Sequence, residues 1–208
     1  FSNPSTREIR KIDIDQVPDC FQILNLLSSE ECNQFIRITN MLGYQKDSPV
    51  SLPRTIRHNT SINWIVDESI DGEIWRRCKI FFSSSMYSQQ QPKGLNARFR
   101  FYKYETNDYF DYHTDGAWPG SRIVKDAAIA DAYGDRMSEM TFLIFLSDNY
   151  KGGRTQFKVD SDSIVSVYTP KGAALCFPHG LHPNHCIHSG ERILAGKKYI
   201  IRSDVLFG

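Results

Sequence analysis

Long apolar runs are missing from these 208 residues. No stretch of about 18 consecutive apolar residues occurs, so no membrane span is expected in this chain. A surplus of charge is missing too. Lys and Arg number 25 against 24 Asp and Glu, a net charge of +1, so no nucleic-acid partner is expected. Cysteine is sparse and unpatterned. Cys20, Cys32, Cys78, Cys176 and Cys186 are odd in number, scattered, and never spaced as Cys-x-x-Cys. That argues against a disulfide framework and for free thiols in the cytoplasm or another reducing compartment. An initiating methionine is absent. The chain starts at Phe1 and is expected to be a fragment or processed product, with any targeting segment outside it. Asn59-Thr60-Ser61 has the form of a glycosylation sequon and is read as a chance match. No feature sets an oligomeric state.

What is present is a globular composition, 40% apolar and 24% charged, in a chain long enough for one domain with a sizeable core. Residues 1–19 read as an irregular lead-in. Phe21 to Leu27 reads as a short strand. Ser28-Ser29-Glu30-Glu31 has the form of a capping box, with Ser28 as N-cap and Glu31 at N3. The helix it starts is expected to bury Cys32, Phe35, Ile36, Met41 and Leu42 and to stop at Gly43. Residues 44–63 read as loop with short extended pieces at Ser48-Pro49 and Leu52-Pro53. Arg54, Arg57, His58 and Asn59 cluster there, either as a solvated loop or as substrate contacts. A second helix is expected from Asp67, with Ile70, Ile74, Cys78 and Phe81 as a core stripe. Ser83 to Gly94 reads as a polar connection.

From Leu95 the period changes to two. Leu95, Ala97, Phe99 and Phe101 share one parity; Asn96, Arg98, Arg100, Tyr102 and Tyr104 share the other. One apolar and one polar face suit the wall of an open β-barrel that binds a polar ligand inside. The next run ends in His113-Thr114-Asp115. Side chains two apart lie on one face of an extended strand, so this imidazole and carboxylate can hold one edge of a divalent metal. A second histidine from elsewhere would complete a 2-His-1-carboxylate set with open positions on Fe(II). Residues 116–138 carry no periodicity and read as a lid or binding loop. Met140 to Leu146 is a buried strand by composition. Thr155–Val159, Ser163–Tyr168, Ala173–Phe177 and Ile193–Phe207 supply further strands, with turns at Lys151-Gly152-Gly153-Arg154, Pro170-Lys171-Gly172 and Ala195-Gly196-Lys197. Two helices followed by many short strands read as α+β, mainly β, with a jelly-roll core. His179, His182, His185 and His188 stand at three-residue spacing. Pro178, Pro183 and Gly180 argue against a helix there, and most of the four read as polar loop residues.

Residues 188–205, His-Ser-Gly-Glu-Arg-Ile-Leu-Ala-Gly-Lys-Lys-Tyr-Ile-Ile-Arg-Ser-Asp-Val, resemble the C-terminal signature of 2-oxoglutarate/Fe(II) dioxygenases of the prolyl 4-hydroxylase type. In that signature a basic residue follows the histidine by ten positions, here His188 and Lys198. Gly152-Gly153-Arg154-Thr155-Gln156-Phe157 resembles the family's Gly-Gly-x-Thr-x-Phe strand. The segment from Tyr104 to His113-x-Asp115 resembles its first half. The match spans residues 95–207 in the right order. It implies a double-stranded β-helix (cupin-like) catalytic core over 95–207, supported by a helical part over 1–94, within one domain over 1–208. It implies Fe(II) held by His113, Asp115 and His188. It implies 2-oxoglutarate gripped by Lys198 as cation, with Tyr104 and Thr155 as hydrogen-bond donors, O2 as the other co-substrate, and room for ascorbate as reductant. No catalytic residue beyond the metal ligands is implied.

The implied reaction is hydroxylation of a C–H bond, of a prolyl residue in a peptide or protein, with 2-oxoglutarate decarboxylated to succinate. A free amino acid or other small molecule is the alternative substrate. His182 and His185 compete with His188, and Lys197 with Lys198, although the parity of 197 points the other way on a strand. Arg202 shares the face of Lys198 and either pairs with a neighbouring acid or contacts co-substrate or substrate. Arg98, Arg100, Tyr102, Trp118 and Arg57 are candidates for the substrate cleft. Two rivals from other classes are a non-catalytic module on the same fold and a zinc site built from the histidine cluster.

Overall fold

The computed structural model describes residues 8–46, 53, 55–83, 85 and 88–208; Ser48-Pro49, Leu52 and Arg54 lie outside them. In chain order the elements are β1 (Arg10–Asp13), β2 (Phe21–Leu24), α1 (Ser29–Leu42), β3 (Arg57–His58), β4 (Thr60–Ile65), α2 (Glu68–Cys78), a 3-10 turn (Lys79–Phe81), β5 (Pro92–Leu95), β6 (Arg98–Tyr104), β7 (Tyr109–His113), β8 (Arg122–Val124) and β9 (Ala127–Ile129). They continue as β10 (Met137–Phe145), β11 (Tyr150–Gly152), β12 (Thr155–Lys158), β13 (Ile164–Val167), β14 (Ala174–Pro178), β15 (Ile187–Gly190), β16 (Ile193–Gly196) and β17 (Lys198–Phe207).

Two antiparallel sheets make a double-stranded β-helix. The larger runs β1-β2-β14-β10-β17-β6-β4, with β5 also paired to β17, and the smaller runs β13-β12-β15-β7-β3. Strand alternation gives the large sheet two buried faces. Phe99, Phe101, Phe142, Ile144 and Ile201 point to one core, shared with Cys32, Phe35, Ile74 and Cys78 of the helices. Tyr102, Tyr104, Leu143, Phe145 and Ile200 point to the other, with Phe157 of the small sheet. Burying a phenylalanine of this kind contributes roughly 2–3 kcal/mol. The parity of 98, 100, 102 and 104 is thus an interior face, although it carries charge.

The capping box forms as its residues imply. Ser28 Oγ accepts from the Glu31 amide, and Glu31 Oε2 accepts from the Ser28 amide. Glu31 also takes a bidentate pair from Arg77 at 2.8 and 2.9 Å, which locks α1 to α2. Several expectations need correction. The lead-in over 1–19 contains strand β1, and the loop over 44–63 contains β3 and most of β4. Met41 and Leu42 are exposed: the buried stripe of α1 runs through Cys32, Phe35 and Thr39, Met41 stands on the opposite side of the helix from Cys32, and Leu42 is the helix's last residue. The stretch from Leu95 is not one strand: a break at Asn96 separates β5 from β6, and Asn96 Oδ1 accepts from the Arg98 and Ser121 amides. Residues 116–138 are not all loop. They contain the hairpin β8–β9, whose turn residues Lys125 and Asp126 both have positive φ. This segment is anchored by a bidentate Arg122–Asp71 pair at 2.7 and 2.8 Å onto α2. The five cysteines are free and buried. Among the described residues, no helix is long and apolar enough to cross a membrane.

Candidate metal and co-substrate site

The small sheet brings the two ends of the motif together. Antiparallel pairing of β15 with β7 places His188 directly opposite His113, and Asp115 follows two residues beyond the end of β7. One ligand atom from each of His113, Asp115 and His188 lies within 4.8 Å of the others, the one such group among the described residues. His113 Nε2 stands 3.7 Å from Asp115 Oδ1, and His188 Nε2 stands 3.6 Å from Asp115 Oδ2.

Each imidazole is oriented for ligation. His113 Nδ1 contacts the Asp111 carbonyl at 2.8 Å, and His188 Nδ1 contacts the Cys186 carbonyl at 3.1 Å. A carbonyl only accepts, so both rings carry their proton on Nδ1 and turn the Nε2 lone pair toward Asp115. Burial, reinforced by the neighbouring His188, lowers His113 to about 4, and burial lowers His188 too. Both are therefore neutral at pH 7, the form that a metal site would need. Burial alone would raise Asp115, but the Arg202 guanidinium, with the hydrogen bond from Thr141, holds its carboxyl well below the usual range. Phe110 stacks on His113 at 3.5 Å between centroids and fixes the ring plane.

The carboxylate is held from behind by a relay. Thr141 Oγ donates to Asp115 Oδ2 at 2.7 Å. Its proton thus committed, Thr141 accepts from His179 Nδ1 at 2.8 Å. His179 Nε2 then accepts from Ser138 Oγ at 2.8 Å, and Ser138 Oγ accepts from the Trp118 amide at 2.9 Å. His179, in the loop one residue past β14, is buried and positions Asp115 through Thr141. His182 and His185 lie in the turn before β15, at intermediate exposure and exposed respectively, outside the ligand group.

Lys198 opens β17 opposite Tyr104 of β6. Its side chain points inward and is 4% exposed. Nζ donates to the Gly153 carbonyl at 2.6 Å and lies 5.0 Å from the Phe145 ring; among the described residues, no carboxylate stands within ion-pair distance. Burial pulls its pKa down to about 8. Lys197, one residue earlier, points out and pairs with Glu105 at 3.0 Å. The approach of Gly153 to Lys198 depends on backbone that favours glycine: φ is +75° at Gly152 and +69° at Gly153. A Cβ on Gly152 would stand 2.3 Å from the Arg192 carbonyl. Lys198, Tyr104, Thr155, the three metal-ligand candidates and Arg202 line one cavity of about 40 Å³, room for roughly three waters. Arg57 covers its Tyr102 and Phe110 walls, at 5.5 and 5.7 Å.

No family model and no curated protein matches the chain. Solved structures do. A viral collagen prolyl hydroxylase from Paramecium bursaria Chlorella virus-1, in complex with 2OG, is similar at a TM-score of 0.58 and 18% identity, over 97% of each chain. A prolyl-4-hydroxylase from Pseudomonas putida is similar at 0.61 and 11% identity, over 89% of this chain and 91% of that one. A prolyl hydroxylase from Trichoplax adhaerens, in complex with a hypoxia inducible factor oxygen degradation domain peptide fragment, is similar at 0.61 and 17% identity, over 89% and 82%. This chain has the fold of the 2-oxoglutarate/Fe(II) oxygenases.

On that oxygenase fold the donor set suits Fe(II): two neutral imidazole nitrogens and one carboxylate, converging from one side. A buried ammonium with one carbonyl partner suits the far carboxylate of a dicarboxylic acid. Tyr104 is buried, and burial raises its hydroxyl; Thr155, also buried, lines the same cavity. The remaining candidates fall into a second group. Arg98 and Arg100 lie 4.7 and 5.0 Å from the Trp118 ring. Arg202 reaches the acids Asp115, at 3.3 Å, and Asp204, at 3.2 Å. Serine 138, Thr141 and His179 are the site residues that sequence reasoning missed; the parity shared by Ser138 and Thr141's neighbours across β10 gives no sign of them before the pairing is known.

Proposed function

We propose that this chain is an Fe(II)- and 2-oxoglutarate-dependent dioxygenase that hydroxylates a prolyl residue of a peptide or protein, releasing succinate and CO2. The convergence of His113, Asp115 and His188, with both Nδ1 protons already committed to carbonyls, carries the reading. When bound, iron and 2-oxoglutarate supply the oxidising power, with one atom of O2 going to the substrate and one to succinate. The protein's part is placement. His113, Asp115 and His188 hold the metal and leave its other positions open. Lys198 pairs with the distal carboxylate, and Tyr104 and Thr155 donate hydrogen bonds to it. Phe110, Leu143 and Ile200 line the rest of the cavity and exclude water. Prolyl specificity is supported by the prolyl hydroxylases among the similar structures, one of which is bound to a peptide fragment.

The test is succinate release from 2-oxoglutarate with added Fe(II), against a panel of proline-containing peptides and free amino acids. Peptide-dependent release is expected. Release with free amino acids only would replace the peptide substrate by a small molecule, and no release from any member would end the dioxygenase reading.

A further inference from the structure

The pairing of β6 with β17 sets Arg100 directly opposite Arg202. Like charges across a ladder repel, and here both are 8% exposed, where little water screens them. Arg98 shares their face, half-buried, with burial and Arg100 both lowering its pKa. Trp118, at the start of the segment between β7 and β10, presents its ring to Arg98 and Arg100 together.

The acids do not balance this cluster. Asp204 takes Arg202 Nη2 at 3.2 Å and stands 3.8 Å from Arg100 Nη2. Asp115 is the other carboxylate in contact, and it belongs to the metal set. Among the described residues, three guanidinium groups therefore share one uncommitted carboxylate. The deficit shows in single atoms: Arg100 Nε, Arg100 Nη2 and Arg202 Nε are buried with no hydrogen-bond partner. Apolar packing would serve stability better than an unsatisfied buried charge, so the arrangement calls for a ligand. A planar fork of this kind matches a carboxylate bidentately.

Its place along β17 separates it from the co-substrate. Lys198 and Arg202 are four residues apart, roughly 13 Å at the rise of a strand, and Arg202 Nη1 lies 3.3 Å from Asp115 Oδ1. With the dicarboxylate reaching from Lys198 to the metal, Arg202 lines the cavity on the side away from Lys198, and Arg100, paired across from it, and Arg98 continue the same face beyond the cavity wall. We infer that the substrate carries a carboxylate, gripped by Arg98, Arg100 and Arg202, only a few bonds from the carbon that is oxidised. The inference rests on the dioxygenase reading above and narrows its substrate. The carboxylate has two sources: the free α-carboxylate of an amino acid or chain end, or an Asp or Glu side chain beside the target residue of a peptide.

Acid and carboxamide pairs test it. The arms are free amino acids against their amides, prolyl peptides ending in acid or amide, and internal prolyl peptides with Asp or Glu against Asn or Gln. Binding is measured by calorimetry on the protein loaded with Mn(II) and 2-oxoglutarate, and succinate release is measured with Fe(II). In at least one arm the acid is expected to bind about 10–100-fold more tightly than its amide. Arg100→Met is expected to bring that ratio below about threefold, with Arg100→Lys restoring part of it. Arg98→Met, at a half-buried position, makes the same measurement if Arg100→Met does not fold, and is expected to lower the ratio. The arm that responds identifies the source. Equal binding of acid and amide in every arm, while 2-oxoglutarate is still turned over, overturns the inference and leaves the dioxygenase reading standing. Absence of metal-dependent 2-oxoglutarate binding overturns both.

Discussion

Lys198→Met is expected to make the ligand-free protein more stable and unable to hold 2-oxoglutarate. The ammonium is 4% exposed, with one hydrogen bond, to the Gly153 carbonyl, and burial lowers its pKa from 10.5 to about 8. That fall corresponds to about 3 kcal/mol of stability withheld from the folded state at pH 7. Losing the bond to Gly153 returns about 1 kcal/mol, so the variant gains a net ~2 kcal/mol. The sign with pH follows from the same values. Below about pH 8 the lysine is protonated whether folded or unfolded, and the full penalty is present. Between about 8 and 10.5 the unfolded chain binds the extra proton, so wild-type stability rises with pH relative to the variant. The advantage of methionine is therefore largest at pH 7 and shrinks toward pH 10.5. Urea unfolding in chelator at pH 7 and pH 10 measures it. With Mn(II) already present in both proteins, adding 2-oxoglutarate at 100 times its Kd then stabilises wild type by a further ~2.7 kcal/mol and the variant by nothing beyond its metal-bound value. A variant less stable than wild type at pH 7, or a difference independent of pH, would refute the reasoning.

Two further substitutions probe the supports of the site. Thr141→Val keeps the shape of the side chain and removes the hydrogen bond to Asp115; metal affinity is expected to fall about 10–100-fold, read by Mn(II) titration. Gly153→Ala forces a Cβ to 2.5 Å from Ile193 Cδ1 and 3.3 Å from Lys198 Cδ, at a φ of +69°; it is expected to cost about 1–3 kcal/mol in urea unfolding and to weaken 2-oxoglutarate binding.

A mainly β, jelly-roll core was legible because its signal is local; the double-stranded β-helix itself was what the resemblance over residues 95–207 implied. Period two from Leu95 onward, Gly-Gly turns and a capping box at Ser28 each depend on a few adjacent residues. His113-x-Asp115 and the ten-residue step from His188 to Lys198 were legible for the same reason. What depends on register was not. Arg100 and Arg202 are 102 positions apart, and only the pairing of β6 with β17 makes them face each other. His179 gains its role from Ser138 and Thr141, which reach it through the pairing of β10 with β14. The hairpin β8–β9 hid because its turn is Lys125-Asp126, residues that carry no glycine signal for positive φ. Leu42 fits the apolar period of α1, seven residues after Phe35, but it is the last helical residue and stays exposed; Met41 lies off that period.

Calorimetric titration of the apoprotein with Mn(II) asks most directly whether three distant side chains form one metal centre. His113→Ala, Asp115→Asn and His188→Ala should each abolish stoichiometric binding, while His182→Ala and His185→Ala leave it intact. Binding that survives the first three changes and is lost with either of the last two would contradict the account.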